Sequence, residues 1–87
     1  MDIEKVLAGK AKVRILRMLM KEGQANISRI VKATGLHHDV VVKNMDELKD
    51  LGIVDEKRYG RLRIYMVDLR NPKISGLYEI LRELEKL

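Results

Sequence analysis

The 87-residue chain contains no cysteine, tryptophan or phenylalanine, and only one proline, one glutamine and two histidines. Without cysteine there is no disulfide framework, no thiolate metal site and no thiol nucleophile, and cysteine usage assigns no redox compartment. The two histidines, His37 and His38, are neighbours in sequence. Consecutive helical positions point their imidazoles apart, and no acidic cluster stands at ligand spacing nearby, so no metal site is expected and the pair reads as a helix cap or a contact residue. There is no phosphate-binding G-x-x-x-x-G-K loop and no nucleophile elbow, and Ser28 and Ser75 lack a base at suggestive spacing, so no catalytic residue and no cofactor are expected. Three tyrosines are too few for a single-strand nucleic-acid binder of the base-stacking kind. The longest apolar runs are three to four residues, far short of the roughly 20 needed to span a bilayer, and Met1-Asp2-Ile3-Glu4-Lys5 lacks the apolar region of a signal peptide. A soluble, cytoplasmic protein with no membrane partner is expected.

What is present is apolar and charged residue in quantity. Hydrophobic residues make up 46% and charged residues 36%, too apolar for disorder, so the apolar residues must be gathered on buried faces of one small domain. The abundance of Lys, Arg and Glu with a single Gln resembles thermophile composition. The net charge of +5 points toward a polyanionic partner.

Ile3 to Leu7 is read as a short helical arm. Lys10 to Lys21 places Ile15, Leu16, Leu19 and Met20 on one stripe at helical spacing, and Gly23 supplies a stop. Asn26 is a good N-cap for a short helix carrying Ile27, Ile30 and Val31, which Gly35 ends. After the turn Gly35-Leu36-His37, the segment His38 to Leu51 repeats Val41, Met45, Leu48 and Leu51 at helical intervals, and Gly52 closes it. The period then changes from 3.6 to 2: Ile53 to Tyr59 and Leu62 to Val67 read as two strands joined by a tight turn at Gly60-Arg61, with Tyr59 and Tyr65 as packing aromatics. Asn71-Pro72 opens a last helix in which Ile74, Leu77, Leu81 and Leu84, with an overlapping seam of Leu77, Ile80, Leu84 and Leu87, form a wide apolar face. The expected fold class is mainly α with a small β-hairpin (α+β), residues 1–70 forming the core unit and 71–87 an appended helix within one structural domain.

The order helix, helix, turn, helix, hairpin, helix resembles the winged helix-turn-helix fold over residues 10–87, most closely archaeal and bacterial regulators of the ArsR and MarR type. The matching stretches are Lys12-Val13-Arg14-Ile15-Leu16-Arg17-Met18-Leu19, Ala33-Thr34-Gly35-Leu36 at the turn, and Val41-Val42-Lys43-Asn44-Met45-Asp46-Glu47-Leu48-Lys49-Asp50-Leu51-Gly52-Ile53-Val54 leading into the wing. The resemblance implies a transcriptional regulator that binds double-stranded DNA, with the helix from His38 as recognition helix. The metal-sensing members carry cysteines, and this chain has none. The start of the recognition helix, His37-His38-Asp39-Val40, also departs from the small polar residues usual there, so no sequence preference carries over.

Charge distribution agrees with a duplex partner, since affinity for DNA comes mainly from cations that displace its counterions. Residues 57–73 carry a net +5, the whole of the chain's excess, whereas residues 46–56 carry a net −4. The carboxyl half of the recognition helix should therefore face away from DNA. With Val41, Met45 and Leu48 buried, the groove-facing set is His38, Asp39, Val42 and Lys43, with His37 and Asn44 at its margins; Val40 and Val42 could meet thymine methyls or pack internally. In the wing, Arg61 at the tip is expected to enter the minor groove while Arg58 and Arg63 hold phosphates, and Arg29 and Lys32 are expected to meet the backbone. Of the five cations Lys10, Lys12, Arg14, Arg17 and Lys21 of the first helix, most read as a solvated face. This reading requires the wing arginines to be free of acidic partners.

The leucine seam of the last helix, Ile74, Leu77, Ile80, Leu81, Leu84 and Leu87, exceeds what so small a core needs and suggests an isologous homodimer, presenting two recognition helices about 34 Å apart. The other option is that this helix folds back on the first helix of its own chain. The leading function is a homodimeric, sequence-specific regulator. The alternatives are an architectural DNA-binding protein with low sequence preference and a winged-helix protein-interaction module. No small-molecule effector can be read from the residues.

Overall fold

The computed structural model describes residues 9–85; the arm expected over Ile3 to Leu7, and Leu87, lie outside the described residues. Four helices and three strands follow in the order α1 (Lys10–Glu22), β1 (Gln24–Ala25), α2 (Ile27–Thr34), α3 (His38–Asp50), β2 (Val54–Tyr59), β3 (Leu62–Val67) and α4 (Ile74–Glu85). The α+β class and the element order agree with the sequence. The addition is β1: Gln24 pairs with Met66 and Ala25 with Tyr65, so the hairpin becomes a three-stranded antiparallel sheet of order β1-β3-β2. Two residues are too few to show a period of 2, and only the presence of β3 makes them a strand.

Caps set the helix boundaries. The Asn26 side chain accepts from the Arg29 backbone N–H at 2.8 Å and starts α2. At the end of α3, Gly52 takes a φ of +75°, its N–H donates to the Lys49 carbonyl, and the Ile53 N–H reaches back to Leu48. This six-to-one closure seats Ile53 against Leu48, both fully buried, and turns the chain into β2. The wing turn has Gly60 at φ +63° followed by a residue of negative φ, the glycine-first pattern of a tight hairpin turn that suits right-twisted strands. Asn71 does not cap α4 directly. Its Oδ1 accepts from the Lys73 N–H and its amide donates to the Gly52 carbonyl at 3.0 Å, so the preceding turn is tied to the end of α3 and the helix begins at Ile74.

The core gathers Ile15, Leu16 and Leu19 of α1, Ile30 of α2, Val41, Met45 and Leu48 of α3, and Tyr65 and Val67 of β3. Complete burial of one such aliphatic side chain contributes about 1.5–3 kcal/mol. Ile74, Leu77 and Leu81, expected in a seam between two chains, are buried in this same core, because α4 packs on α1 of its own chain. Ile80 and Leu84, on the flank of α4, are left 37% and 40% exposed. No helix among the described residues is long and apolar enough to cross a membrane.

The Asn26 cap is local and exposed to a simple test. Asn26→Ala should lower stability by about 1 kcal/mol, a fall of roughly 4–8 °C in melting temperature followed by circular dichroism.

Candidate nucleic-acid interface

The amino end of α3 is built from polar residues that the core does not use. His37 takes an extended backbone and its Nδ1 accepts from the Asp39 N–H at 3.2 Å, so it is the N-cap of α3, and Asp39 stands in the first turn where the helix dipole favours a negative charge. His38, Asp39 and Lys43 are exposed, as expected. Val42 is half-buried, and Val40 is the valine that reaches solvent. Asn44 departs further from its expected place at the groove margin: its amide donates to the Val40 carbonyl at 2.7 Å and its Oδ1 accepts from Lys12 Nζ at 3.0 Å, so both ends are spent within the fold.

Lys12 is an exception to the solvated face of α1: its side chain is only 12% exposed. It runs from α1 to α3, where Glu47 accepts a second hydrogen bond from it and the two form a salt bridge. That bond, with the nearby charges of Lys12 and Lys43, holds the Glu47 carboxyl below the usual glutamate range. Lys12 thus ties α1 to α3. An isolated lysine on a basic helix carries no sign of this, because its partners lie more than thirty residues away.

The base of the wing is organised by Glu56, another residue that sequence reasoning passed over. Its side chain is 6% exposed, and Lys49 Nζ donates to Oε2 at 2.7 Å while Arg63 Nε stands 3.1 Å and Arg58 Nε 3.5 Å from Oε1. The Tyr65 hydroxyl donates to the same oxygen at 3.3 Å. Three cations around one carboxylate leave a local charge of +2. The Lys49 hydrogen bond, opposed in part by burial, keeps the Glu56 carboxyl below the usual range. Register explains the grouping: Glu56 faces Tyr65 and Arg58 faces Arg63 across the ladder, so all four point to one side of the hairpin.

Freedom from acidic partners is therefore met by Arg61 and not by Arg58 and Arg63. Arg61 lies at the tip beside Gly60, and among the described residues Arg61, Lys57, Lys43 and Lys32 make no salt bridge. A shallow cleft joins Arg61, Leu62 and Arg63 to Asn26, Ile27 and Ser28 at the start of α2. Arg29 is held by Glu22 at 2.8 Å, so a phosphate would have to compete for it. Arg70, counted with the wing by sequence, is taken out of it by Asp68 at 3.0 Å and Asp55 at 3.5 Å. Among the described residues no group of three or more His, Cys, Asp or Glu could hold a metal ion.

A helix pair joined by a Gly-containing turn, followed by a basic hairpin on the same core, makes the chain a winged helix-turn-helix protein. The solved structures it resembles are winged helix-turn-helix transcriptional regulators of the ArsR type. HlyU from Vibrio cholerae superposes with a TM-score of 0.82 at 16% identity, over 98% of this chain and 89% of that one. Rv0081 of Mycobacterium tuberculosis gives 0.76 at 26% identity, over 94% and 80%. The homodimeric winged helix-turn-helix DNA-binding domain Mb0332 from Mycobacterium bovis gives 0.77 at 24% identity, over 97% and 75%. No protein-family model and no curated protein matches the chain.

The depressed Glu56 carboxyl makes the wing sensitive to acid. A group whose pKa is lower folded than unfolded contributes stability above its unfolded value and loses it as pH falls through the folded one. Glu56→Ala should therefore cost about 2 kcal/mol at neutral pH and flatten the acid limb of the stability curve, read from urea unfolding between pH 3 and pH 7.

Proposed function

We propose that the protein is a homodimeric transcriptional regulator that binds duplex DNA, the amino half of α3 lying in the major groove and the wing on the minor groove and backbone. The observation that carries this reading is the wing tip: residues 57–63 hold four cations and no acidic residue, and Arg61 projects there without a salt-bridge partner. Lys57 and the residual charge around Glu56 supply phosphate contacts beside it, and Lys32 and the start of α2 supply more. Nothing in this role needs a catalytic group or a cofactor.

The dimer is proposed through the flank of α4 that carries Ile80 and Leu84, with Leu87 continuing the heptad-like spacing in sequence. Its support is the exposure of those two side chains after Ile74, Leu77 and Leu81 are consumed internally, together with the homodimeric state of the Mb0332 domain. Two copies would double the phosphate contacts and set two α3 helices against successive turns of one duplex.

An architectural role with low sequence preference is favoured by one observation. Asp39, Asp46 and Asp50 share the exposed face of α3 with Lys43, which leaves a single strong cationic donor for base edges. Comparing a selected duplex with a random one separates the two readings.

In a duplex-binding series against salt, log affinity should fall linearly with log salt concentration, and Arg61→Ala should reduce the slope by about 1. A salt-independent affinity would remove phosphate contact from the reading. Lys43→Ala should cost about 1–3 kcal/mol on a selected site and little on random DNA. Ile80→Asp with Leu84→Asp should shift sedimentation from dimer to monomer and weaken duplex binding without unfolding the chain, because both positions are already in part exposed.

A further inference from the structure

Tyr59 and Leu62 stand directly opposite each other as the last pair of the β2–β3 ladder, on either side of the Gly60-Arg61 turn. They are 63% and 46% exposed. Tyr65 is the tyrosine that packs internally, whereas alternation along the strands places Tyr59 and Leu62 on the opposite face of the hairpin, with Lys57 and Ile64. Two large apolar side chains paired in water at the extremity of a hairpin serve no core, and such a pair points to a contact surface.

The surroundings select the partner. Of the cations around the pair, Lys57 shares its face and Arg61 stands at the tip, neither with a salt bridge among the described residues, whereas Arg58 and Arg63 lie on the other face and share Glu56. The complementary surface is therefore apolar beneath the pair and anionic beside it, which is how a deoxyribose wall and its flanking phosphates are arranged along the minor groove of a duplex. Dimensions decide how deep the hairpin can go. Its two backbones lie about 4.8 Å apart before side chains are added, against a minor groove about 6 Å wide. Only the turn can pass between the walls, and it is kept narrow by Gly60, where a Cβ would meet open space. The pair behind it must stop at the rims.

We infer that Tyr59 and Leu62 form an apolar brace that rests on the sugar rims of the minor groove and fixes the depth at which Arg61 enters. The inference rests on the duplex-binding reading and adds to it two contact residues that carry no charge. Because the brace displaces no counterions, its contribution is separable from that of the arginines.

The test measures binding of the full chain to a short mixed-sequence duplex by fluorescence anisotropy at several salt concentrations. It compares the unaltered protein, Tyr59→Ser with Leu62→Ser, the conservative pair Tyr59→Phe with Leu62→Met, and Arg61→Ala. The serine pair should lose about tenfold in affinity at every salt concentration with an unchanged salt slope, from the apolar area left uncovered. The conservative pair should keep its affinity, and Arg61→Ala should lower the slope. Melting temperatures should stay close to that of the parent, since neither side chain is buried. Binding by the parent with equal affinity in the serine pair overturns the brace alone, as does a loss of self-association at unchanged duplex affinity, which would make the pair an interface between copies. No duplex binding by the parent overturns the brace together with the reading beneath it.

Discussion

A single carboxylate shut in among cations joins the wing to the helix beneath it. Glu56 receives Lys49 from α3, Arg63 from β3, Arg58 from its own strand and the hydroxyl of buried Tyr65. Removing a carboxylate from water is costly, and here the cost is offset because the oxygens accept several hydrogen bonds and contacts from charged donors. The arrangement also keeps two arginines on one side of the hairpin. With one negative charge for three positive ones, the cluster remains cationic and can still attract phosphate, while the hairpin is held to the domain instead of swinging free.

Lys12 does for α3 what Glu56 does for the wing. Its ammonium is bound to Glu47 and Asn44 across the α1–α3 contact, so a charge-assisted contact joins the two helices in addition to the packing of Val41, Met45 and Leu48. The same kind of pairing redistributes charge over the whole molecule. Arg70 is neutralised by Asp68 and Asp55, Arg29 is engaged by Glu22, and much of the acidity of residues 46–56 is absorbed by Lys12, Lys49 and Arg70. Among the described residues the cations without a salt bridge are Lys57 and Arg61 of the wing, Lys43 and Lys32, and also Lys10, Arg14 and Lys21 of α1, Lys73 and Arg82. On α3 that set is reduced to Lys43, because Lys49 is engaged by Glu56.

The division of α4 has the same character. A helix with apolar residues over so wide an arc offers two faces, and a core of this size can use only one of them. Ile74, Leu77 and Leu81 turn inward against α1, and Ile80 and Leu84 remain on the flank. The seam visible in the sequence was thus two surfaces superimposed, one for folding and one left exposed.

Periodicity, caps and turn glycines determine the helices, the hairpin and their order in this protein, because those signals are local: Asn26 needs only the N–H three residues on, Gly52 only the end of its own helix, and Gly60 only its turn. Exposure at the start of α3 and the placement of Arg61 are legible for the same reason. The strand at Gln24-Ala25, the burial of Lys12, the sharing of Glu56 by Arg58 and Arg63, the hydrogen bond of Asn44 to Lys12 and the contrast between Tyr59 and Tyr65 were decided by tertiary structure. Each depends on a partner brought from another element, or on which end of a strand reaches beyond the core, and neither is encoded in the residue's immediate neighbours.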